Sequence, residues 1–250
     1  MLNTYHTNLI NKQVLTSDQL LLEFSLINPK EIIFKAGQYL ILKIGDKSRL
    51  YSIYSSENVK NSFTLLIKTI PNGLASNFFL NLKTGESVDF QGPAGVFYLR
   101  ESEKDKIFLA TYSGLAPLRS MIVSYLEKNK DKITPKFNLF WGLRNYSDIC
   151  LFDEFKQLAI NYQQFKFIIC LSRETDLTKI KDEDRQYFKL GRINNSWEEF
   201  ALKQCNNVVI EQCVNKFDYY LCAGDKVIVE LNQYLLAKGV VKENIFLEKF

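Results

Sequence analysis

Apolar positions in the first hundred residues recur in short runs of strand length, separated by Gly, Asn and Asp turn signals. Residues 19–26, 38–44, 49–56, 62–70 and 87–91 are the strand predictions. One helix, residues 74–82, interrupts them and ends in Lys83-Thr84-Gly85, with glycine where a helix C-terminus favours a left-handed residue. Closely spaced strands with so little helix predict an antiparallel β-barrel or sandwich. The charged stretch 100–106 predicts a linker, so the chain divides into domains 1–100 and 101–250.

Beyond the linker the period changes. Residues 107–112 form a strand, and Leu118, Met121, Ile122, Tyr125 and Leu126 then share one helical face opened by Pro117. Strand signals return at 137–141, 165–171 and 219–223. A last helix near 227–237 is expected to bury Val227, Leu231 and Leu235 and to stop at Gly239, before a closing strand at 244–250. Strand and helix alternating at this spacing predict an α/β domain with a parallel five-stranded sheet covered on both faces. Ligands of such sheets bind at the carboxyl ends of the strands.

Composition narrows the function. Lys and Arg number 32 against 28 Asp and Glu, a net charge of +4, too slight to indicate nucleic-acid binding. Hydrophobic residues at 46% are enough for a core, and no run approaches the ~18 apolar residues of a membrane span. Residues 1–10 lack a basic segment followed by an apolar one, so a cytoplasmic protein without membrane insertion is expected. The five cysteines, Cys150, Cys170, Cys205, Cys213 and Cys222, include no CxxC pair. That predicts reduced thiols, with no disulfide framework and no metal site. His6 is the one histidine and lies in a polar stretch, leaving imidazole chemistry almost without a candidate, so a bound cofactor is expected to carry any reaction.

Two segments offer such a cofactor a place. In Arg49-Leu50-Tyr51-Ser52-Ile53, alternation sets Arg49, Tyr51 and Ile53 on one face of a strand and Ser52 on the other. A planar ring could stack on Tyr51 while Arg49 neutralises a phosphate; taken alone, a core tyrosine beside a solvated arginine fits as well. Asn72-Gly73-Leu74-Ala75-Ser76 opens the lone helix of this half, where free N–H groups attract an anion, although a plain turn and helix start reads the same way.

Taken in order, the motifs resemble the ferredoxin-NADP(+) reductase family. Arg49 to Ser52 fits its R-x-Y-S flavin motif, and Gly73-Leu74-Ala75-Ser76-Asn77-Phe78 is similar to its pyrophosphate helix. Gly92-Pro93-Ala94-Gly95 is similar to its G-P-x-G loop, and Ser113-Gly114-Leu115-Ala116-Pro117 to its T-G-x-A-P segment. Phe140-Trp141-Gly142-Leu143-Arg144, Cys222-Ala223-Gly224 and Glu248-Lys249-Phe250 resemble later family segments. Two positions depart from the pattern. Tyr112 stands where the family has Gly and could fill space that a nicotinamide needs, and Ala223 replaces Gly after Cys222.

The resemblance implies FAD on the barrel and a pyridine nucleotide on the second domain. It assigns Tyr51 to stack on the flavin, Arg49 to pair with the pyrophosphate and Ser52 to bond near the reactive ring nitrogen. Leu50, Ile67, Lys68, Gly73, Leu74, Ala75 and Ser76 would complete the flavin site. Ser113, Gly114, Arg144 and Gly224 would hold the nucleotide, with Ser52, Cys222, Glu248 and Phe250 in the catalytic set. Ser172, Arg173, Arg185 and Tyr187 are similar to the family's 2′-phosphate contacts, which favours NADPH, with NADH possible given the acids Glu174 and Asp176. The implied partner is a separate ferredoxin or flavodoxin, and the chain is expected to be a monomer. Open alternatives are a reductase feeding an oxygenase, cytochrome or free flavin, and a flavin electron-transfer subunit that does not oxidise nicotinamide because Tyr112 blocks the site.

Overall fold

The computed structural model describes residues 2–205, 211 and 213–249. It contains two compact units, Met1–Arg100 with Ala116–Lys128, and Glu101–Leu115 with Asn129–Phe250.

In the first unit β1 (Asn3–Thr16), β2 (Gln19–Asn28), β3 (Tyr39–Ile44), β4 (Lys47–Ser52), β5 (Ser62–Lys68) and β6 (Ser87–Ala94) form one antiparallel sheet. Its order is β4-β3-β6-β1-β2-β5. Past β4 the chain reaches the opposite edge, with Ile53 bridging Leu65 and the Tyr54 N–H donating to the Thr64 carbonyl at 2.8 Å, so the sheet curls into a half-barrel. Phe24, Phe63 and Phe90 fill it, with Phe24 stacked on Phe63 at 5.4 Å and edge-on to Phe90 at 5.1 Å. β1 was not among the strand predictions. Only Tyr5, Thr7 and Leu9 of its fourteen residues are fully buried, so its apolar alternation is too brief to stand out.

The helix α1 (Leu74–Asn81) follows β5. Lys12 of β1 donates its ammonium to the carbonyls of Phe79, Leu80 and Leu82 at 2.8, 2.7 and 2.9 Å, satisfying acceptors that the helix end leaves unpaired. Most of α2 (Leu115–Lys128) also belongs to this unit. Ser120 donates to the Ser55 carbonyl at 2.7 Å, and Arg119 lies 4.5 Å from the Tyr54 ring centre while donating to the Tyr54 carbonyl. Gly37, at φ +104°, passes so close that a Cβ there would lie 2.1 Å from the Phe97 carbonyl oxygen.

The second unit holds β7 (Asp105–Thr111), β8 (Phe137–Leu143), β9 (Phe165–Leu171), β10 (Phe188–Leu190), β11 (Phe217–Ala223) and β12 (Ile245–Lys249). All pair in parallel, in the order β10-β9-β8-β7-β11-β12. The five expected strands are present, and three-residue β10 extends one edge. Every residue of β8 and β11 is buried, as strands covered on both faces require. The helices are α3 (Phe152–Asn161), α4 (Ile193–Gln204) and α5 (Asp225–Ala237). Strand order reverses between β7 and β11, which makes their carboxyl ends the switch point of the sheet.

Three details correct the sequence reading. The linker 100–106 is not wholly solvated: Asp105 and Lys106 already belong to β7, and Lys106 is buried because its ammonium meets Asp218 at 2.9 Å. In α5 the buried face is Ile228, Leu231 and Leu235, with Val227 only half-buried, a register shift of one residue. The thiol expectation fails for one pair. Cys205, at the end of α4, forms a disulfide with Cys213, their Cα atoms 5.9 Å apart, whereas Cys150, Cys170 and Cys222 are buried thiols. A separation of eight residues carries no recognisable pairing signal.

Candidate functional site

On the first unit, β4 is an edge strand, so one side of its backbone is left unpaired within the sheet. Arg49 is exposed and its guanidinium reaches only its neighbour's carbonyl, Ser48, at 2.9 Å. Leu50 is exposed, while Tyr51 and Ser52 are half-buried. The Tyr51 ring meets Phe79 of α1 edge-on at 5.1 Å, tying the strand to the helix. Burial pushes the Tyr51 phenol up to about 12, against the opposing pull of the Arg49 charge, so it remains a neutral donor across the physiological range.

At the start of α1, Asn72 has φ +59° and Gly73 occupies the cap position, with no side chain capping the helix and no acid in its first turn. The Ser76 hydroxyl accepts the Ile70 N–H at 2.7 Å, which folds the preceding loop back onto the helix. A Cβ on Gly73 would lie 2.9 Å from Ser76 Oγ and 3.0 Å from the Ile70 carbonyl oxygen. Leu74 is exposed and Ala75 buried. Ile67 is buried in the core and Lys68 pairs with Asp18 at 3.2 Å, so Ile67 has only its backbone to offer a ligand. A planar ring carrying a diphosphate fits this donor set: a half-buried aromatic ring packed on α1, an arginine two residues before it with no carboxylate partner among the described residues, and the start of an eight-residue helix without a side-chain cap. Tyr54 and its α2 partners Arg119 and Ser120, which fix the chain just after Ser52, were missed by sequence reasoning, because nothing local links residue 54 to residue 119.

On the second unit, most of the predicted nucleotide residues gather at the carboxyl edge of the sheet. Ser113 and Gly114 follow β7 in a 3-10 turn, Arg144 follows β8, Ser172 and Arg173 follow β9, and Gly224 caps α5 after β11. Gly224 has no side-chain cap and open space where a Cβ would sit, so α5 presents a second helix start without a side-chain cap, although Asp225, paired with Lys249 at 3.3 Å, lies in its first turn. Cys222 is buried and paired in register with Glu248 of β12. Burial pushes the Cys222 thiol well above its ordinary value of 9.0, with the Glu248 charge adding to the effect. The thiol is therefore neutral at every pH below that range. Cys222, Cys150 and Cys170 are expected to resist iodoacetamide at about pH 8, where exposed thiols begin to ionise; mass spectrometry of the folded protein checks this, and rapid labelling of Cys222 would contradict its burial.

Of two other predicted residues, one is set back from this edge and the other is engaged within its own loop. Tyr187 precedes β10, where the register sets it about 10 Å short of the strand ends, and its ring stacks on Phe167 at 4.9 Å. Arg185 pairs with Asp182 at 2.9 Å and donates to the carbonyls of Leu177 and Ile180, both at 3.3 Å. Its i,i+3 acid claims it locally, which a comparison of motifs does not register. Phe250 lies outside the described residues. Asp148 and the Trp141 indole were not foreseen either: Asp148 Oδ2 accepts the N–H groups of Arg144 and Asn145 at 3.1 and 2.9 Å, and Trp141 Nε1 donates to the Tyr112 carbonyl at 3.2 Å.

Among the described residues no cluster of three or more His, Cys, Asp or Glu could hold a metal, and no helix is long and apolar enough to cross a membrane. Residues 6–98 match the family described as an oxidoreductase FAD-binding domain, and residues 108–223 the one described as an oxidoreductase NAD-binding domain. The chain is 26% identical over 249 residues to the toluate 1,2-dioxygenase electron transfer component of Pseudomonas putida, covering 98% of this chain and 67% of that protein. It is 32% identical over 221 residues to the reductase component of a phenol 2-monooxygenase from a Pseudomonas species, covering 87% of this chain and 58% of that protein. Its fold is shared with a solved ferredoxin NADP+ reductase from Neisseria gonorrhoeae with bound FAD and NADP, at a TM-score of 0.77, 19% identity and 98% coverage of each chain. The two domain matches, in this order, place the chain in the ferredoxin-NADP(+) reductase-like family of FAD-dependent NAD(P)H oxidoreductases.

Proposed function

We propose that the chain oxidises NADPH through FAD and delivers electrons one at a time to a ferredoxin or flavodoxin, with residues 1–100 as the flavin domain and 101–250 as the nucleotide domain. The observation that carries this reading is the pair of helix starts without a side-chain cap, α1, which packs on Tyr51 through Phe79, and α5, which follows Cys222. The first turn of α1 holds no acid, and the one acid in the first turn of α5, Asp225, is paired with Lys249 at 3.3 Å, so N–H groups at both starts suit a diphosphate. Bound FAD supplies what side chains cannot, uptake of two electrons with a proton as hydride and their release singly. The residues supply placement. Tyr51 offers its ring face, and Arg49 with the first-turn N–H groups of α1 balances the diphosphate charge. Ser52 donates near the reacting ring edge. On the nucleotide side the N–H groups at Gly114 and Gly224 meet phosphate, Ser113 and Glu248 orient the nicotinamide, and the neutral Cys222 thiol forms a wall that carries no charge.

Preference for NADPH rests on Arg173. It is exposed, anchored by its backbone N–H to the Arg144 carbonyl at 2.9 Å, and without an ion-pair partner among the described residues. Its neighbour Glu174 is engaged, accepting the Tyr146 N–H at 2.8 Å. A charge-assisted phosphate contact is worth about 1.5–3 kcal/mol, so Arg173→Ala is expected to raise the Michaelis constant for NADPH roughly 10- to 100-fold and to leave that for NADH nearly unaltered. Equal losses for both nucleotides would remove the case for NADPH.

A second reading is favoured by the relatives, several of which are described as electron transfer or reductase components of dioxygenases and a phenol monooxygenase. In that reading the acceptor is an oxygenase-linked protein. Anaerobic addition of NADPH and of NADH to the FAD-loaded protein tests the shared part: the visible flavin absorbance should bleach. Reoxidation by added ferredoxin, flavodoxin or free flavin then separates the acceptors. A yellow protein bleached by neither nucleotide would overturn both readings.

A further inference from the structure

Tyr112 sits where the resembling family carries glycine, and its backbone is left-handed, at φ +46°. A bulky side chain holds that conformation only when its surroundings compensate for the strain. The compensation is visible. The Tyr112 carbonyl accepts the indole N–H of the fully buried Trp141 at 3.2 Å, and its hydroxyl donates to Asp148 Oδ2 at 3.2 Å. The same carboxylate oxygen accepts the Arg144 and Asn145 N–H groups, and the Arg144 guanidinium lies 5.5 Å from the centre of the Tyr112 ring. The ring is thus directed toward the end of β8, whereas Cys222 lies on β11, on the other side of β7. Arg144 is exposed, has no ion-pair partner among the described residues, and is backbone-bonded to Arg173 of the neighbouring strand end. A guanidinium lying over an aromatic face keeps its N–H edge free for a bidentate anion.

We propose that Tyr112 is a positioning residue for dinucleotide binding: its ring holds the Arg144 guanidinium over the carboxyl edge of β7 and β8, preset for the ligand's diphosphate. The inference rests on the second unit binding a pyridine dinucleotide. The glycine-to-tyrosine departure then strengthens the phosphate end of the site and does not obstruct the nicotinamide end.

The test uses the FAD-loaded full chain with ADP-ribose, which carries the diphosphate but no nicotinamide, as an inhibitor competing with the nucleotide. Tyr112→Leu should raise the ADP-ribose inhibition constant and the nucleotide Michaelis constant about tenfold, with kcat within about twofold. Tyr112→Phe keeps the ring and should restore both constants to within about twofold of the parent. Arg144→Met should lose as much as Tyr112→Leu, and combining the two should add nothing, because the ring acts through the guanidinium. Equal losses in Tyr112→Phe and Tyr112→Leu, or multiplying losses in the double variant, overturn the proposal. Should Tyr112→Leu not fold, Arg144→Met decides, since it changes an exposed side chain only; an unaltered ADP-ribose constant in it overturns the proposal. Failure of the underlying reading has a different signature: the parent protein itself would be neither inhibited by ADP-ribose nor bleached by either nucleotide.

Discussion

Gly73→Val is expected to yield a folded protein that does not retain FAD. The first added carbon already meets Ser76 Oγ at 2.9 Å and the Ile70 carbonyl oxygen at 3.0 Å, and valine adds two further branches at the cap position of α1. Ser76 cannot swing aside freely, because its hydroxyl holds the Ile70 N–H at 2.7 Å. Each charge-assisted bond from this helix start to a phosphate is worth about 1.5–3 kcal/mol, so loss of two weakens FAD by about two to four orders of magnitude. Gly73 has an extended backbone, φ −69°, so valine adds no left-handed strain and the fold should survive. Titration of the apoprotein with FAD, followed by flavin fluorescence, reads the affinity, and far-ultraviolet circular dichroism reads the fold. Retention of yellow flavin at parental affinity would mean that the diphosphate is not held at this helix.

The largest effect on stability is expected from Lys106→Met. The Lys106 side chain is 3% exposed and that of Asp218 6%, and their charged groups meet at 2.9 Å. Ser102 completes the cluster, its hydroxyl donating to Asp218 at 2.5 Å and accepting from Lys106 at 2.8 Å. Removing the cation leaves the buried carboxylate with only the Ser102 hydroxyl and the half-exposed Lys104, 4.0 Å away, which costs up to about 3–5 kcal/mol, a large part of the roughly 5–15 kcal/mol that holds an ordinary domain together. Urea unfolding followed at the tryptophans Trp141 and Trp197, both in the second unit, should show the loss there. Lys106→Met combined with Asp218→Leu should recover most of it, because an apolar pair of similar volume avoids the desolvation that the ion pair has to offset. Loss of less than about 1 kcal/mol in the single variant would mean that water reaches the pair.

The cofactor-binding architecture was more legible than the details of the nucleotide edge, for a physical reason. The helix start proposed for the diphosphate is made by a few consecutive residues, Gly73 to Ser76, so its signal is local in the chain. The 2′-phosphate patch depends on where a long loop goes. Arg185 pairs with Asp182 three residues earlier, a local contact that a comparison of motifs does not weigh, and Tyr187 stacks on Phe167 of β9, a contact not visible until β9 and β10 are in register. Tyr112 illustrates the same point in the other direction. Its bulk suggests a blocked site, whereas Asp148 and Arg144, more than thirty residues away, direct the ring toward the end of β8.

What the chain's own pattern determined was the change of period near residue 105, from closely spaced strands to alternating strand and helix, and with it a curled antiparallel sheet followed by a parallel one. Periodicity reports which side chains leave water, and that is local. Tertiary structure alone decided that β1 takes an interior place in the sheet with three fully buried side chains, that Cys205 finds Cys213, that Lys106 is buried against Asp218, and that α2 docks on residues 54–57. Each of these is a pairing between groups whose individual residues are ordinary, and a pairing acquires its energy only when folding brings both members to the same place.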